Sequence, residues 1–218
     1  NATVPHGLTK APEFVVIKNL DKSAFWPVWH VGIGQDDYLR LDTYDATSQY
    51  SGAWNSTIPN NSVVSLGVSN ILNEGTSGQN QHIMYCWHSV PGYSAFGSYN
   101  GNGSTDGPFI YTGFRPAWVM IKNTTDGSIY SSWMIVDSTR SVSNTSGGGN
   151  CLWANQSFAE GRRGADVAIG SNDYLDIDLV SNGIKIRSGG SNTENNDPNK
   201  VYIYMAFASQ SINFNSAR

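Results

Sequence analysis

Two stretches decide the fold: APEFVVIKN, Ala11–Asn19, and RPAWVMIKN, Arg115–Asn123. Each is a continuous apolar run that ends in Lys and Asn, the pattern of a strand buried on both faces. Placing Pro12 on Pro116 aligns the two stretches without a gap. The same alignment pairs five further identical residues: Val15 with Val119, Ile17 with Ile121, Lys18 with Lys122, Asn19 with Asn123 and Trp29 with Trp133. The match indicates a duplicated module.

The duplication extends over nearly the whole chain. Two further correspondences are Gly7 with Gly113, after a two-residue gap, and HIMYCWHS, His82–Ser89, with VYIYMAFAS, Val201–Ser209. A repeat this long is typical of tandem domains or of two halves of one sandwich, and it is too long for a solenoid. We therefore predict two modules, at residues 1–91 and 92–218. Whether they stand apart or share one core stays open at this point.

Composition favours strands over helices. Only 14% of the 218 residues are charged, whereas 12% are aromatic and 23 are glycine. Few charges, many turn residues and many rings suit short strands joined by tight turns. The predicted class is all-β, with two tandem antiparallel β-sandwich modules of jelly-roll or lectin-like type.

Net charge and hydropathy limit the kinds of binding partner that the sequence predicts. The net charge is −4 and no basic cluster occurs, so we predict no nucleic-acid partner. No apolar run approaches the roughly 18 to 20 residues of a membrane-spanning helix, so no membrane insertion is predicted. Cys86 and Cys151 stand at non-equivalent places of the two copies, and we expect buried thiols rather than a disulfide.

The clearest hairpin is YLDIDLVSNGIKIRS, Tyr174–Ser188. Its alternation predicts two strands joined by a turn at Asn182 and Gly183. Asp176 and Asp178 would then pair across the hairpin with Lys185 and Arg187. No convincing helix is predicted, and QSFAEGRRGA, at 156–165, is the nearest candidate.

The two copies differ at their start. In the second copy the apolar strand is preceded by GYSAFGSYNGNG, Gly92–Gly103, which itself predicts a strand and a turn. The first copy has no equivalent, so module 1 lacks its first strand. We expect a longer parent chain to carry a similar segment before Asn1, because the module would otherwise keep an unpaired edge. The alternative is that this strand belongs to the middle of the chain alone.

Three segments carry a family resemblance: HGLTKAPEFVVIKN (His6–Asn19), the long central run from Tyr85 to Asn123, and VYIYMAFAS (Val201–Ser209). They resemble segments of large tail-associated virion proteins of tailed bacteriophages, many of them marine and cyanobacterial phages. The resemblance implies a β-rich domain on tail fibres or related surface appendages. It brings no catalytic motif, so no active-site residue is transferred.

One strand carries residue types that bind soft metals. His82, Met84, Cys86 and His88 alternate and so share one face. His82 and Cys86 would lie about 13 Å apart at roughly 3.3 Å per residue, too far to bind one ion. In the second copy we match this face with core residues, namely Val201, Ile203, Met205 and Phe207. We predict no metal site and no cofactor.

Carboxylates show no catalytic or calcium-binding spacing. Two clusters of aspartates occur, Asp36 with Asp37 and Asp173 with Asp176 and Asp178, and the four glutamates are Glu13, Glu74, Glu160 and Glu194. None matches a calcium loop, and no pair forms a recognisable glycosidase motif. A nucleophile elbow is also missing. We predict no catalytic residue and a protein that is not an enzyme.

Three aromatic residues are the candidate ligand-binding site. Tyr44, Tyr50 and Trp54 lie in TYDATSQYSGAWNSTIPNN, Thr43–Asn61, a polar segment in which rings have no core period. Flat rings beside Asn, Asp and Ser suit a sugar-binding surface, because the ring stacks on the sugar and the polar groups hydrogen-bond to it. The alternative is that the rings fix a long loop to the sandwich or fill a subunit contact.

Two functions remain open. The first is a non-enzymatic module for host attachment on a phage tail fibre or other virion appendage, binding cell-surface glycan. The second is a purely structural virion domain, a capsid decoration or fibre spacer. In both cases we expect contacts with other virion subunits, a homo-oligomer such as a trimer, and a location on the virion surface.

Overall fold

The computed structural model describes residues 1–69, 71–73, 80–140, 144, 151–160, 162–163, 167–168, 176–190 and 194–210. Almost all regular structure in them is β, which confirms the all-β prediction. The strands are β1 (Ala2–Pro5), β2 (Phe14–Asn19), β3 (Pro27–His30), β4 (Asp37–Arg40), β5 (Ser48–Gln49), β6 (Val63–Leu66), β7 (His82–Trp87), β8 (Ser94–Asn100), β9 (Phe109–Tyr111), β10 (Trp118–Asn123), β11 (Met134–Asp137), β12 (Leu152–Trp153), β13 (Arg162–Arg163), β14 (Val167–Ala168), β15 (Ile177–Val180), β16 (Gly183–Ile186) and β17 (Val201–Phe207).

Helical structure is minor. The helix α1 (Ser51–Trp54) has one turn, and a 3-10 turn spans Ile129–Ser131. Within the described ranges, no helix is long and apolar enough to cross a membrane. The described part of the segment QSFAEGRRGA contains no helix, as its glycines suggest.

Two five-stranded antiparallel sheets form the centre of the protein. Sheet I has the order β5-β4-β3-β2-β7, and sheet II has the order β12-β11-β10-β17-β8. In sheet I, Phe14 lies opposite Trp87, and in sheet II Trp118 lies opposite Phe207. The repeated sequence stretches are thus β2 and β10, and each has antiparallel neighbours on both sides.

The outer strand pairs repeat as well. β1 pairs with β6, with Val4 opposite Val64, and β9 pairs with β16, with Ile110 opposite Ile184. Both β1 and β9 are followed by a glycine with positive φ, +70° at Gly7 and +80° at Gly113. Since this conformation favours glycine, the two-residue offset between the copies preserves the same turn.

The alignment of the tryptophans needs a correction. Trp29 does not correspond to Trp133, because Trp29 lies opposite Val15 whereas Val136 lies opposite Val119. The counterpart of Trp133 is Trp26. The backbone N–H of each donates to a side-chain oxygen after the next strand, Asp42 Oδ1 for Trp26 and Asn155 Oδ1 for Trp133. The second copy holds three additional residues before this tryptophan.

The predicted match between the faces of β7 and β17 also shifts by one residue. Asn19 lies opposite His82 and Asn123 lies opposite Tyr202. The residues of β17 that correspond to His82, Met84 and Cys86 are therefore Tyr202, Tyr204 and Ala206. The face composed of Ile203, Met205 and Phe207 corresponds instead to Ile83, Tyr85 and Trp87.

The predicted hairpin is present with a different turn. β15 and β16 pair antiparallel, with Val180 opposite Gly183, so the turn residues are Ser181 and Asn182. Gly183 begins β16 and lets a neighbouring strand approach, since a Cβ there would lie 2.2 Å from the carbonyl oxygen of Ile110. Across the pair, Arg187 Nε lies 2.8 Å from Asp178 Oδ2.

The two central sheets pack face to face through one core. Their facing side chains form a single cluster, here called the inner cluster: Phe14, Val16, Val28, Leu39, Phe96, Met120, Trp133, Ile203 and Met205. The Trp133 Nε1–H donates to the Arg40 carbonyl oxygen at 2.8 Å, and Thr47 N–H donates to the Thr124 carbonyl oxygen at 2.9 Å. The two halves therefore share an interior. The tandem duplication of a β-sandwich module, the module boundary at residues 91 and 92, and the jelly-roll or lectin-like subtype stay predictions.

The outer faces of both sheets are covered by the remaining strands. β1, β6 and α1 pack on sheet I over a cluster that includes Val15, Ile17 and Trp54. β9, β15 and β16 pack on sheet II over a cluster that includes Val119 and Ile121. Because each fully buried large apolar side chain contributes about 1.5–3 kcal/mol, these layers account for the continuous apolar runs of β2 and β10.

Candidate functional site

Trp54 is a core residue. It is 0% exposed, packs in the outer cluster of sheet I and donates its Nε1–H to the carbonyl oxygen of Asp37 at 3.0 Å. A ligand cannot stack on a ring that is covered on both faces. The prediction that Trp54 binds glycan is therefore corrected: the ring fixes α1 to the sheet, which was the alternative for this segment.

Tyr44 and Tyr50 are at the surface, with 39% and 46% of their areas exposed. Tyr50 directly precedes α1, and its backbone N–H donates to the Asp36 carbonyl oxygen at 2.8 Å. Its ring lies over Gly52, where a Cβ would come within 2.5 Å of the Tyr50 Cζ. This packing holds the Tyr50 ring in place while leaving part of it open to solvent.

The two tyrosines lie at the two ends of the hairpin that β4 and β5 form, Tyr44 in its loop and Tyr50 directly after β5. β5 pairs with β4 so that Gln49 lies opposite Asp37, which puts Tyr50 beside the start of β4. Tyr44 comes four residues after the end of β4. At roughly 3.3 Å per residue, four strand residues span about 13 Å. The structure thus brings Tyr44 and Tyr50 to opposite ends of the same short strand, and Trp54 lies beneath.

A group of residues that sequence reasoning did not single out lies on and around this strand, and we call it the Arg40 platform. Its members are Phe25, Tyr38, Arg40, Thr43 and Asp45. The guanidinium carbon of Arg40 lies 4.1 Å from the centroid of the Phe25 ring and 5.7 Å from that of the Tyr38 ring. Phe25 is 40% exposed. Cation–π contacts of this kind contribute about 0.5–2 kcal/mol each.

Polar contacts complete the Arg40 platform. Arg40 Nη1–H donates to Asp45 Oδ2 at 3.1 Å, and Nη2–H donates to the Tyr38 hydroxyl oxygen at 3.3 Å. The Thr43 hydroxyl donates to the same Asp45 oxygen at 3.0 Å. Arg40 Nε is buried and has no hydrogen-bond partner among the described residues. The platform therefore presents aromatic faces, a carboxylate and a guanidinium in fixed positions.

The alternation of β4 explains why these groups meet. Leu39 points into the inner cluster and is 1% exposed, so Tyr38 and Arg40 project from the opposite face. Their alternation was visible in the sequence. The contribution of Phe25 was not visible in the sequence, because Phe25 precedes β3 and reaches Arg40 only once β3 and β4 pair.

A buried lysine anchors the Tyr44 segment to sheet II. Lys122 is fully buried, and its Nζ donates to the carbonyl oxygens of Tyr44, at 3.2 Å, and of Asn123, at 2.5 Å. Burial lowers the Lys122 pKa to about 7, against the opposing influence of Asp45 and Asp126. Its counterpart Lys18 instead lies over the Trp26 ring. The Tyr44 segment is thus tied to both sheets.

Of the residues that could suggest a metal site, His82, Met84 and Cys86 lie on β7, and His88 directly follows it. Burial raises the pKa of the Cys86 thiol to about 11, so the thiol stays protonated at neutral pH. No disulfide joins Cys86 to Cys151. Among the described residues, no three His, Cys, Asp or Glu side chains come together as metal ligands. Of the sequence candidates, Glu74 and Asp173 lie outside the described residues.

A cleft of about 610 Å³ lies where the two copies meet, lined by Thr9, Lys10, His88, Ser89, Val90, Pro91 and Tyr93. The Ser89 hydroxyl donates to Glu13 Oε2, and the Ser89 backbone N–H donates to the same oxygen at 2.7 Å. His88 Nδ1 lies 2.8 Å from the Ser89 carbonyl oxygen. This hydroxyl is held by a carboxylate, and the contact ties the segment after β7 to the residue that precedes β2.

Comparison with known proteins gives one finding. No curated protein and no solved structure matches the chain. A family model described as a domain of unknown function (DUF7483) matches residues 1–211. Since the match covers both copies and both central sheets, the chain belongs to the family of the domain of unknown function DUF7483.

Proposed function

We propose that the chain is a non-enzymatic glycan-binding module on the surface of a virion appendage, such as a phage tail fibre, and that it serves in host attachment. The observation that carries the proposal is the pair of exposed tyrosines, Tyr44 and Tyr50, at the two ends of a strand that bears the Arg40 platform. Exposed rings beside fixed polar groups are the surface chemistry that sugars need.

The rigidity of the platform supports this function. β4 lies within a five-stranded sheet, and Arg40 is held by Phe25, Tyr38 and Asp45 at once. Binding residues placed on a rigid scaffold lose little conformational entropy when a ligand arrives. The location on a virion rests on the resemblance to phage tail-associated proteins. A homo-oligomer, such as a trimer, would multiply a weak single-site affinity.

A glycan array tests the proposal. We expect the wild-type protein to bind a set of cell-surface glycans and the variants Tyr44→Ala and Tyr50→Ala to bind them at least about tenfold more weakly, a loss of about 1.4 kcal/mol. Tyr111→Ala is the matched control, since Tyr111 is an exposed tyrosine on β9. Unchanged binding by both variants, or binding to no glycan, would contradict the proposal.

The second candidate is a structural virion domain that contacts neighbouring subunits. The observation that favours it is the exposed apolar edge of sheet I, where Ile83 and Tyr85 face solvent. Incubation with separately purified virion subunits distinguishes the two functions. Binding to subunits but to no glycan would favour the structural role, in which Tyr44 and Tyr50 would bury against a neighbour.

A further inference from the structure

The two central sheets differ at one edge. In sheet II, β17 lies between β10 and β8, whereas in sheet I its counterpart β7 is the last strand. In the part of the chain that the structure describes, no strand pairs with the outer edge of β7. The repeat therefore shows what occupies this position in one half, and in the other half no described strand occupies it.

The repeat also identifies the open backbone groups. The Leu20 N–H donates to the Gln81 carbonyl oxygen at 2.8 Å, so Gln81 faces β2. Because successive strand residues direct their N–H and C=O groups to opposite sides, three residues of β7 face away from β2: His82, Met84 and Cys86. In sheet II, the Gly101 N–H donates to the Lys200 carbonyl oxygen at 2.9 Å. The same alternation directs Tyr202, Tyr204 and Ala206 towards β8.

Side chains along this edge are apolar and partly exposed. Ile83 is 37% and Tyr85 is 41% exposed, and the Tyr85 and Trp87 rings stack with centroids 6.1 Å apart. A cavity of about 360 Å³ lies along β7, lined by Pro5, His6, Met84, Tyr85, Cys86 and Trp87. The strand HIMYCW contains no proline, lysine, arginine or carboxylate. These are the residues that usually protect an exposed edge from pairing with another strand.

We propose that the outer edge of β7 binds, by antiparallel strand addition, a strand of the β8 type that lies outside these 218 residues. This interaction is separate from the proposed glycan site on β4. Backbone hydrogen bonds to His82, Met84 and Cys86 would supply the affinity, and the side-chain pattern of the added strand would supply the register.

The register follows from sheet II. There Phe96 lies opposite Met205, Gly97 opposite Tyr204 and Tyr99 opposite Tyr202. Transferred to β7, the ring of the added strand lies beside Tyr85, its glycine beside Met84 and its tyrosine beside His82. The Phe96 ring contacts the Phe207 ring with centroids 5.9 Å apart. Trp87 is the counterpart of Phe207, so the added ring would close the stack of Tyr85 and Trp87.

A second copy of this chain fits the edge less well. Pairing β7 with another β7 would set Met84 and its neighbours against equally bulky side chains. β8 instead surrounds one ring with small residues, Ser94, Ala95, Gly97 and Ser98. In sheet II the glycine makes room for the neighbouring strand, because a Cβ at Gly97 would lie 2.9 Å from the Tyr204 hydroxyl and ring. A strand with this small-aromatic-glycine pattern is the occupant that the fold already accommodates.

The test uses a synthetic peptide with the β8 sequence GYSAFGSYNG, Gly92–Gly101, added to the intact 218-residue protein. Amide hydrogen exchange is measured by NMR. We expect the peptide to slow exchange at His82, Met84 and Cys86 and to leave the β17 amides unchanged. A peptide with Gly97→Pro loses an N–H that points at β7 and should bind at least about tenfold more weakly. A peptide with Ser98→Pro loses an N–H that points away, so it should still bind.

Protein variants supply a second arm. Tyr85→Lys places a charge beside the predicted ring and should weaken peptide binding, whereas Tyr111→Lys, at an exposed tyrosine on another edge strand, should not. Protection at other strands, or no protection at millimolar peptide, would overturn the proposal. So would dimerisation of the chain without peptide that Tyr85→Lys abolishes, because β7 would then bind a second copy. The peptide comparison stands even if a variant fails to fold.

Discussion

The Nε2 atom of His30 lies 3.1 Å from the carbonyl oxygen of Tyr204, and this contact joins the two central sheets. The Gly32 N–H donates to His30 Nδ1 at 2.8 Å. Nδ1 is therefore the acceptor, so the neutral ring carries its proton on Nε2 and donates it to Tyr204. Burial lowers the His30 pKa to about 4, although the bond to Tyr204 opposes this shift.

Acidification should weaken the fold through His30. The unfolded chain takes up a proton near pH 6.5, whereas the folded ring resists protonation until about pH 4. Stability is therefore lost as pH falls through this window, by up to about 1.4 kcal/mol per pH unit. Urea unfolding followed by tryptophan fluorescence at pH 7, 5.5 and 4.5 measures the loss. The variant His30→Gln should show a smaller pH dependence; an equal dependence in both proteins would assign the loss to other groups.

Raising the pH should strengthen the fold through Lys122. Its folded pKa is about 7 and its ordinary value is 10.5, so between these values the unfolded chain binds more protons. The unfolding free energy should therefore rise from pH 7 to 8.5, by up to about 1.4 kcal/mol per unit. Lys122→Met should flatten this rise in the same unfolding experiment. A steeper rise in the variant than in the wild type would contradict the prediction.

Trp54 and Tyr50 should differ sharply when each is replaced by alanine. Trp54 is enclosed, so Trp54→Ala leaves a cavity and should cost about 3–5 kcal/mol. Tyr50 is 46% exposed, so Tyr50→Ala should cost less than about 1 kcal/mol. Thermal and urea unfolding of the two variants measures both. Similar costs for the two substitutions would contradict the assignment of Trp54 to the core.

Gly67→Ala should disturb the helix beneath Tyr50. A Cβ at Gly67 would lie 2.1 Å from the carbonyl oxygen of Gly52, and the Gly67 N–H donates to the Ala53 carbonyl oxygen at 2.8 Å. The backbone must move, at a cost of about 1–3 kcal/mol, and ring packing at Tyr50 should loosen. Val68→Ala, at an exposed neighbour, is the control. Unfolding measurements and the exchange rates of the α1 amides report the effect; equal stability of both variants would contradict it.

Sequence periodicity was sufficient for the strands that carry the core. The runs of β2 and β10 were recognised because both of their faces are apolar. Insertions made the residue-by-residue alignment of the two copies wrong in places. Three added residues before Trp133 shifted its partner from Trp29 to Trp26, and only the strand pairing in the structure shows which residues lie opposite each other.

The candidate site was predicted in part. The polar composition around Tyr44 and Tyr50 correctly placed both rings at the surface. The same composition gave a wrong prediction for Trp54, which is buried. A single turn of helix is enough to bury one ring, and it leaves no periodic signal in the sequence. Phe25 was missed because its contact with Arg40 arises between separate segments, which no local pattern records.

The inner cluster draws on both halves of the chain, with Phe14 and Leu39 from one and Phe96 and Ile203 from the other. A polypeptide holding either half alone would leave this surface in water and would depend on a second molecule to cover it. Covalent linkage replaces that bimolecular encounter with an intramolecular one. The assembled interior should consequently persist on dilution, down to concentrations at which two separate halves would dissociate.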